Sequence, residues 1–264
     1  MDELKKWQGY WKTSVGKVEP NKILVRGYPL DQLMGRVSFS EGLYLIFRGE
    51  LPTPAQGRML EVLLFGIFEH AFINSAIPSA RYVVAGNPSV VCGAAAGVLS
   101  MGPYTGSPRA AAEFIQDCHS LAGRENLTPR ETAERVVAEY TGSRRRIPGF
   151  GHPVHNADPR TVRLREIAEA EKVVGEKTLL YETVHEVFVG KSGKKLPINT
   201  DGMMAALLLD LGFTPLEIEA IAILSFLPGI LAHTLEEIHQ KVPLRVIPDA
   251  IAEYTGHAER KLDR

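Results

Sequence analysis

Cysteine is nearly absent from this 264-residue chain: only Cys92 and Cys118 occur. Two thiols cannot build a disulfide framework, so they read as reduced core residues of a protein kept in a reducing compartment. An excess of one charge is lacking too. The 30 Lys and Arg stand against 31 Asp and Glu, a formal net charge of −1. Composition therefore gives no reason to expect nucleic acid or an anionic membrane surface as a partner. No apolar run is long enough to cross a bilayer without a Gly or Pro break. Met1 to Lys12 is polar, unlike a signal peptide. Internal repeats and low-complexity tracts are missing as well. What remains is an ordinary globular composition, 45% hydrophobic and 23% charged, with enough chain for one large core or two smaller ones. A cytoplasmic globular protein is the expectation.

Apolar residues recur at helical spacing almost throughout, with strand signals only near the start. Trp11 to Arg26 is rich in β-branched residues and carries Pro20-Asn21, which predicts a hairpin. One device opens helices three times, a Thr N-cap followed by Pro at the first helical position. Thr53-Pro54 starts a helix expected to run through Met59, Leu63 and Ile67 to about Phe72. Thr128-Pro129 precedes Glu131 to Tyr140, and Thr214-Pro215, just after a stop at Gly212, precedes Leu216 to Leu224. Val90 to Met101 is rich in Ala and Gly, which lets helices approach closely. Further helices are expected after Asp158-Pro159, over Lys177 to Val189, over Asp201 to Leu211 and over Gly229 to Gln240. Gly190 to Lys195 reads as an exposed turn, without the spacing or preceding strand of a phosphate loop.

Two stretches are candidates for chemistry. Pro148 to Arg160 reads Pro-Gly-Phe-Gly-His-Pro-Val-His-Asn-Ala-Asp-Pro-Arg. Gly149 and Gly151 flank Phe150 and would let backbone N–H groups approach a ligand, and His152 follows at once. Arg160, in the first turn of the helix opened by Asp158-Pro159, suits a carboxylate or phosphate. Arg144, Arg145 and Arg146 lie just upstream, a basic triplet suited to a large anionic cofactor. A polar loop with a capped helix explains the same residues. The second stretch is Asn199-Thr-Asp201-Gly202, opening an apolar helix. Asp201 reads either as a plain N-cap or as a base whose pKa is raised by partial burial. The spacings His152/His155 and His233/His239 lack a clear third ligand, so no metal is expected. His70, near the end of an apolar helix, has a core or cap role by default, and His119, His185 and His257 carry no signal.

Taken together, these motifs resemble the citrate synthase superfamily. Gly149-Phe-Gly-His152-Pro-Val and Asp158-Pro-Arg160 are similar to the signature around one catalytic histidine, and Asn199-Thr-Asp201 to the later motif with the catalytic aspartate. Gly229-Ile-Leu-Ala-His233-Thr-Leu-Glu236-Glu237 and Tyr254-Thr-Gly256 resemble the C-terminal pattern. Trp11-Lys-Thr, Ile23 to Tyr28 and Leu45 to Pro52 resemble the N-terminal region. The short length and Asp201-Gly202 favour the compact citryl-CoA lyase branch, itself related to the citrate synthase-like module of ATP-citrate lyase.

The resemblance implies a mainly α fold with a short N-terminal β-hairpin. It implies a large helical domain, 1–104 and 204–264, with a smaller helical domain inserted at about 105–203, and a site in a cleft that closes by domain rotation. It implies cleavage of citryl-CoA to acetyl-CoA and oxaloacetate, reversible in principle, by a homodimer or larger homo-oligomer. Coenzyme A enters only as part of the substrate, and no permanent cofactor or metal is needed. His152 would contact the tertiary hydroxyl, and Asp201 would move the proton of the acetyl group. Arg160, His70 and Asn199 would bind the acid, and Arg146, Pro148, Gly149, Phe150 and Gly151 would lie against CoA.

Two positions depart from the family pattern. Thr105, in Gly102-Pro-Tyr-Thr-Gly-Ser-Pro108, stands where a second catalytic histidine donates to the thioester enolate in a Gly-Pro-Leu-His-Gly-Gly-Ala type motif. A hydroxyl also donates but cannot carry charge, and loss of one such donor costs about a hundredfold to a thousandfold in rate. Phe226 stands where a substrate-binding arginine is usual, and it cannot pair with a carboxylate. Three functions stay open: a citryl-CoA lyase or synthase, a relative acting on a less polar 3-hydroxyacyl-CoA, and a non-catalytic CoA-ester-binding paralogue.

Overall fold

The computed structural model describes residues 7, 9–104 and 106–262. Among them the chain is mainly helical. Three antiparallel strands come first, β1 (Gly16–Glu19), β2 (Lys22–Val25) and β3 (Tyr28–Pro29), in the order β1-β2-β3. The expected turn sits at Pro20-Asn21, with Glu19 paired to Lys22 and Asn21 in the left-handed region. Eleven α-helices follow among the described residues. They are α1 (Leu30–Leu33), α2 (Phe39–Arg48), α3 (Pro54–Gly66), α4 (Ala76–Gly86), α5 (Val90–Leu99) and α6 (Arg109–Glu125). After these come α7 (Pro129–Gly142), α8 (Pro159–Ala170), α9 (Glu176–Ser192), α10 (Thr200–Asp210) and α11 (Pro215–Gln240).

Capping explains most of the starts. Thr53 with Gln56 and Thr128 with Glu131 form reciprocal capping boxes, and Thr214 and Glu217 exchange the same bonds. Ser38 and Glu41 do so at α2, a helix the periodicity did not announce. Three expectations need correction. The helix from Thr53-Pro54 stops at Gly66 rather than near Phe72. The Gly66 carbonyl, which would accept from residue 70 in a continued helix, instead accepts from Arg160 Nη1 at 3.4 Å. The two helices expected at 216–224 and 229–240 are one, with Pro228 inside it. The first half of Gly190 to Lys195 is not a turn: α9 continues to Ser192 and ends on Gly193 in the left-handed region.

The chain divides into two compact units, residues 1–70 with 101–228, and residues 71–100 with 229–264. In the first, α10 is the central element. Every residue from Gly202 to Leu209 is buried, so this helix is apolar on all sides. It packs against α3, α6, α8 and α9. Its last residue, Asp210, accepts from the backbone N–H groups of Gly175, Lys177 and Thr178 at 2.8–3.1 Å and so caps α9 from a neighbouring helix. In the second unit, α4 packs on α5. Gly93 and Gly97 of α5 let that helix sit against Thr234 and Ile230, where a Cβ at either would collide. Arg81, 6% exposed, pairs with the buried Glu237 and with Glu236, and Glu237 also holds Arg245. By length and composition α11 is apolar enough to cross a membrane. Its Ile218, Ile221, Ala222, Phe226 and Ile230 are buried in the protein.

Candidate active site

Four segments of the first unit converge: the residues after α3, the loop before α8, the start of α8 and the start of α10. The link between the loop and α10 is a short antiparallel pairing. Asn199 N–H donates to the Gly149 carbonyl at 2.9 Å, Gly151 N–H donates to the Pro197 carbonyl at 2.8 Å, and Phe150 bridges Ile198. Asn199 adds its side chain. Oδ1 caps Gly202 N–H at 3.0 Å, and Nδ2 donates to the Gly151 carbonyl at 2.9 Å. The N-cap of α10 is therefore Asn199, and Asp201 lies in the first turn with its carboxylate not needed for capping.

Gly149 and Gly202 pack directly on one another beneath Tyr181. A Cβ at Gly202 would lie 2.5 Å from the Tyr181 hydroxyl and 2.9 Å from the Gly149 carbonyl oxygen. One at Gly149, where φ is +80°, would collide with the same hydroxyl and with Gly202. Tyr181 is 1% exposed and donates to the Pro148 carbonyl at 2.7 Å. Burial, with Asp201 nearby, holds its phenol well above the usual range. Gly149 is thus glycine for internal packing. The N–H groups of Phe150 and Gly151, expected to face a ligand, already donate to Ile147 and Pro197 carbonyls. The Phe150 ring packs on Tyr181, His185 and Phe188, which anchors the loop. Arg146 is exposed beside it.

His152 follows this loop. Its Nδ1 accepts two backbone N–H groups, from Val154 at 3.1 Å and His155 at 3.0 Å. An atom that accepts twice carries no proton, so the neutral ring has its proton on Nε2. That Nε2 stands 3.3 Å from Nε2 of His70. One must donate and the other accept, which places the His70 proton on Nδ1. Burial lowers the pKa of both rings. Arg160 adds to the effect at His70, and His155 adds to it at His152.

At the start of α8, Asp158 is 2% exposed and holds Arg160 in a two-pronged pair, Nε to Oδ1 at 3.0 Å and Nη2 to Oδ2 at 2.8 Å. It also takes the Arg160 backbone N–H at 3.0 Å and the Thr200 hydroxyl at 2.8 Å. Burial alone would raise the Asp158 pKa, but the hydrogen bonds from Arg160 and Thr200 and the charge of Arg160 bring it down to about 2. The anion seat expected at this helix start is thus partly filled by the protein's own carboxylate. With the contact to the Gly66 carbonyl, three of the five guanidinium N–H groups of Arg160 are used within the protein. Burial pushes the Asp201 carboxyl up to about 6, against the pull of Arg160 and with a smaller push from Asp158. Two carboxylates in one site thus have pKa values driven apart, the pattern by which acid and base roles are separated.

The structure brings together His70, His152, Arg160, Asn199 and Asp201. Phe226 is elsewhere in character: a core side chain, 1% exposed. Thr105 lies outside the described residues. Sequence reasoning passed over Tyr181, Asp158, Thr200 and His155. Of these, Asp158 carries a local signal, the dipeptide Asp158-Pro159, which reads as a helix start within the family signature and says nothing of a pairing with Thr200.

The architecture is that of the citrate synthases. The citrate synthase C-terminal domain profile matches residues 53–247. Over 230 residues the chain is 27% identical to citrate synthase 2 of Bacillus subtilis (strain 168), an alignment spanning 84% of this chain and 57% of that protein. It therefore spans little more than half the length of that relative. The structure of citryl-CoA lyase from Hydrogenobacter thermophilus superposes with a TM-score of 0.87 at 35% identity, covering 96% of this chain and 97% of the other. ATP citrate lyase from Methanosaeta concilii, in complex with (3S)-citryl-CoA, shares the fold with a TM-score of 0.79 at 19% identity, over 98% of this chain and 44% of that one. The chain belongs to the citrate synthase family.

Proposed function

We propose that the chain is a citryl-CoA lyase-like enzyme that cleaves citryl-CoA to acetyl-CoA and oxaloacetate. The observation that carries this reading is the facing pair His70/His152, with His152 on a loop tied directly to the helix start that bears Asp201. The retro-Claisen step needs a base for the tertiary hydroxyl, a donor for its oxygen and an acid for the acetyl carbon. His70 Nε2, with its lone pair toward the site, takes the hydroxyl proton. His152 Nε2–H steadies the oxygen as it becomes the ketone of oxaloacetate. The carbon–carbon bond breaks with its electron pair going to the acetyl-CoA enolate, and protonated Asp201 delivers its proton to that carbon. The imidazolium left at His70 and the Asp201 carboxylate then exchange one proton with water, which resets the site. Arg160, held flat by Asp158, uses its remaining N–H groups on a carboxylate of the acid. Asn199 positions the loop against α10. Thr105 supplies a donor to the enolate oxygen, and Arg146 with Pro148 to Gly151 forms the surface for CoA.

A second reading is favoured by Phe226. A buried apolar side chain at the position of a usual arginine removes one cation, which suits a 3-hydroxyacyl-CoA with one carboxylate fewer.

The enzyme works as a homo-oligomer in the cytoplasm. The stretch Tyr82 to Pro108 contains no charged residue. Along α5, Val91, Ala95 and Leu99 are exposed at four-residue spacing, an uncharged stripe of the kind interfaces cover. Cys118 is a buried thiol whose pKa burial raises to about 12, in keeping with a reducing setting.

The test is a direct assay of the purified chain with citryl-CoA, following oxaloacetate through a coupled dehydrogenase. Release that disappears in His152→Ala supports the lyase reading. A folded chain that binds CoA and releases nothing from citryl-CoA, but cleaves a 3-hydroxyacyl-CoA with a single free carboxylate, supports the second. No cleavage of either leaves a non-catalytic CoA-ester-binding role.

A further inference from the structure

A third imidazole lies against the pair and takes no part in the steps above. The His155 ring stacks on His152, with centroids 4.4 Å apart and planes 29° from parallel. It also lies 6.4 Å from the His70 ring. In addition, the His155 backbone N–H is one of the two donors to His152 Nδ1, at 3.0 Å. One residue therefore grips His152 twice, by its edge and by its face.

The two grips do different things. Hydrogen bonds to Nδ1 set which nitrogen carries the proton, but they leave the ring able to tilt about that edge, because the terminal torsion of an imidazole is broad. A flat group pressed on the face removes the tilt. His70 meets His152 edge-on, at an interplanar angle of 68°, and so does not supply such a wall. Its contact is also the one that an entering substrate oxygen must replace, so it is lost when orientation matters most.

We propose that His155 is a positioning residue for the carbon–carbon bond step, its stacked ring fixing the plane in which His152 presents Nε2–H to the substrate oxygen. The proposal rests on the lyase reading. The wall needs flatness rather than a titrating nitrogen. Phenylalanine at 155 keeps both the stack and the backbone donor, whereas alanine or leucine keeps the donor and loses the flat face.

The experiment compares wild type with His155→Ala, His155→Leu and His155→Phe in citryl-CoA cleavage, with His152→Ala as control. Misplacement of a reacting group by about 1 Å costs up to about a hundredfold, so His155→Ala and His155→Leu are expected to lose about tenfold to a hundredfold in kcat, with KM within about threefold. His155→Phe is expected to recover most of that loss. In ¹⁵N spectra of the unliganded protein, all three variants should keep the His152 proton on Nε2, which shows that orientation and not tautomer has changed. Leucine fills the volume, so it stands in if the alanine variant does not fold. Full kcat in the leucine variant overturns the proposal. So does a phenylalanine variant as slow as leucine, since the nitrogen would then be what matters. Undiminished cleavage by His152→Ala is a different result: it removes the lyase mechanism itself.

Discussion

The Nε2 atoms of His70 and His152 face each other at 3.3 Å, and only one of them carries a proton. Two backbone N–H groups claim His152 Nδ1, so the shared proton belongs to His152. Protonating His70 as well would set two donors head to head beside Arg160. Burial already disfavours both cations. The resting pair therefore offers one donor and one lone pair at the same spot, which is what a hydroxyl turning into a carbonyl requires. The substrate oxygen enters by replacing the contact between the rings.

Asp201 sets the pH dependence. Its carboxyl, raised by burial from 3.8 to about 6, must be protonated to quench the enolate. The cleavage kcat is expected to fall as pH rises through about 6, while the rate of synthesis, which needs the carboxylate, falls as pH drops through the same value. Initial rates in both directions check this. The same pH profile in Asp201→Asn would show that another group is responsible.

Asp158 and Asp201 act on stability with opposite signs. Asp158 is depressed from 3.8 to about 2, so its contribution is present above about 3.8 and lost as pH falls toward 2. That loss is on the order of 2 kcal/mol. Asp201 is raised, so its burial costs stability above about 6 and the cost disappears as pH falls to 3.8. Urea unfolding at pH 7 and at acid pH should show Asp158→Asn less stable at neutrality, with a shallower acid decline than wild type. An unchanged acid decline would mean that Asp158 does not carry it.

The Gly149–Gly202 contact predicts a rescue. Gly202→Ala places a methyl 2.5 Å from the Tyr181 hydroxyl and is expected to cost about 1–3 kcal/mol. Tyr181→Phe removes that hydroxyl oxygen, so the double variant should be more stable than the sum of the single changes. Gly149→Ala should gain less from Tyr181→Phe, because a φ of +80° strains any side chain and the Gly202 Cα would still lie only 2.7 Å away. Simple additivity in the Gly202 pair, read from melting curves, would place the clash elsewhere.

Phe226→Arg should not create a carboxylate site. At 1% exposure the new guanidinium would be an unpaired charge in the core, costing several kcal/mol, roughly the 3–5 of a broken buried pair. A stable, more active Phe226→Arg enzyme would contradict that cost and place position 226 beside the acid, as the second reading requires.

Helix starts were legible in the sequence because their signals are local. Thr53, Thr128 and Thr214 announce themselves with the proline that follows. Helix ends were not. The helix α3 stops at Gly66, whose carbonyl accepts from a guanidinium 94 residues away, and no window around Gly66 contains that contact. The helix α6 begins at Arg109 without a side-chain cap, so it gave no start signal. The same divide runs through the site. His152, Arg160 and Asp201 stand in motifs that read as chemistry on their own. Tyr181 meets Pro148, Gly149 and Gly202, and Asp158 meets Thr200, through contacts that exist only once the loop and α10 are side by side. His155 was dismissed for want of a metal partner, since stacking leaves no trace in spacing. Phe226 stands where the family pattern has an arginine, and its burial at 1% exposure is a matter of packing that no spacing carries.

The most direct test of the account is cleavage of citryl-CoA in D₂O by wild type and by Asp201→Asn, with the acetyl-CoA analysed by mass. The wild type is expected to turn over with one deuterium delivered to the methyl group, and the folded Asn variant to lose about a hundredfold to ten-thousandfold. Equal turnover by the two proteins, or acetyl-CoA without deuterium, would contradict it.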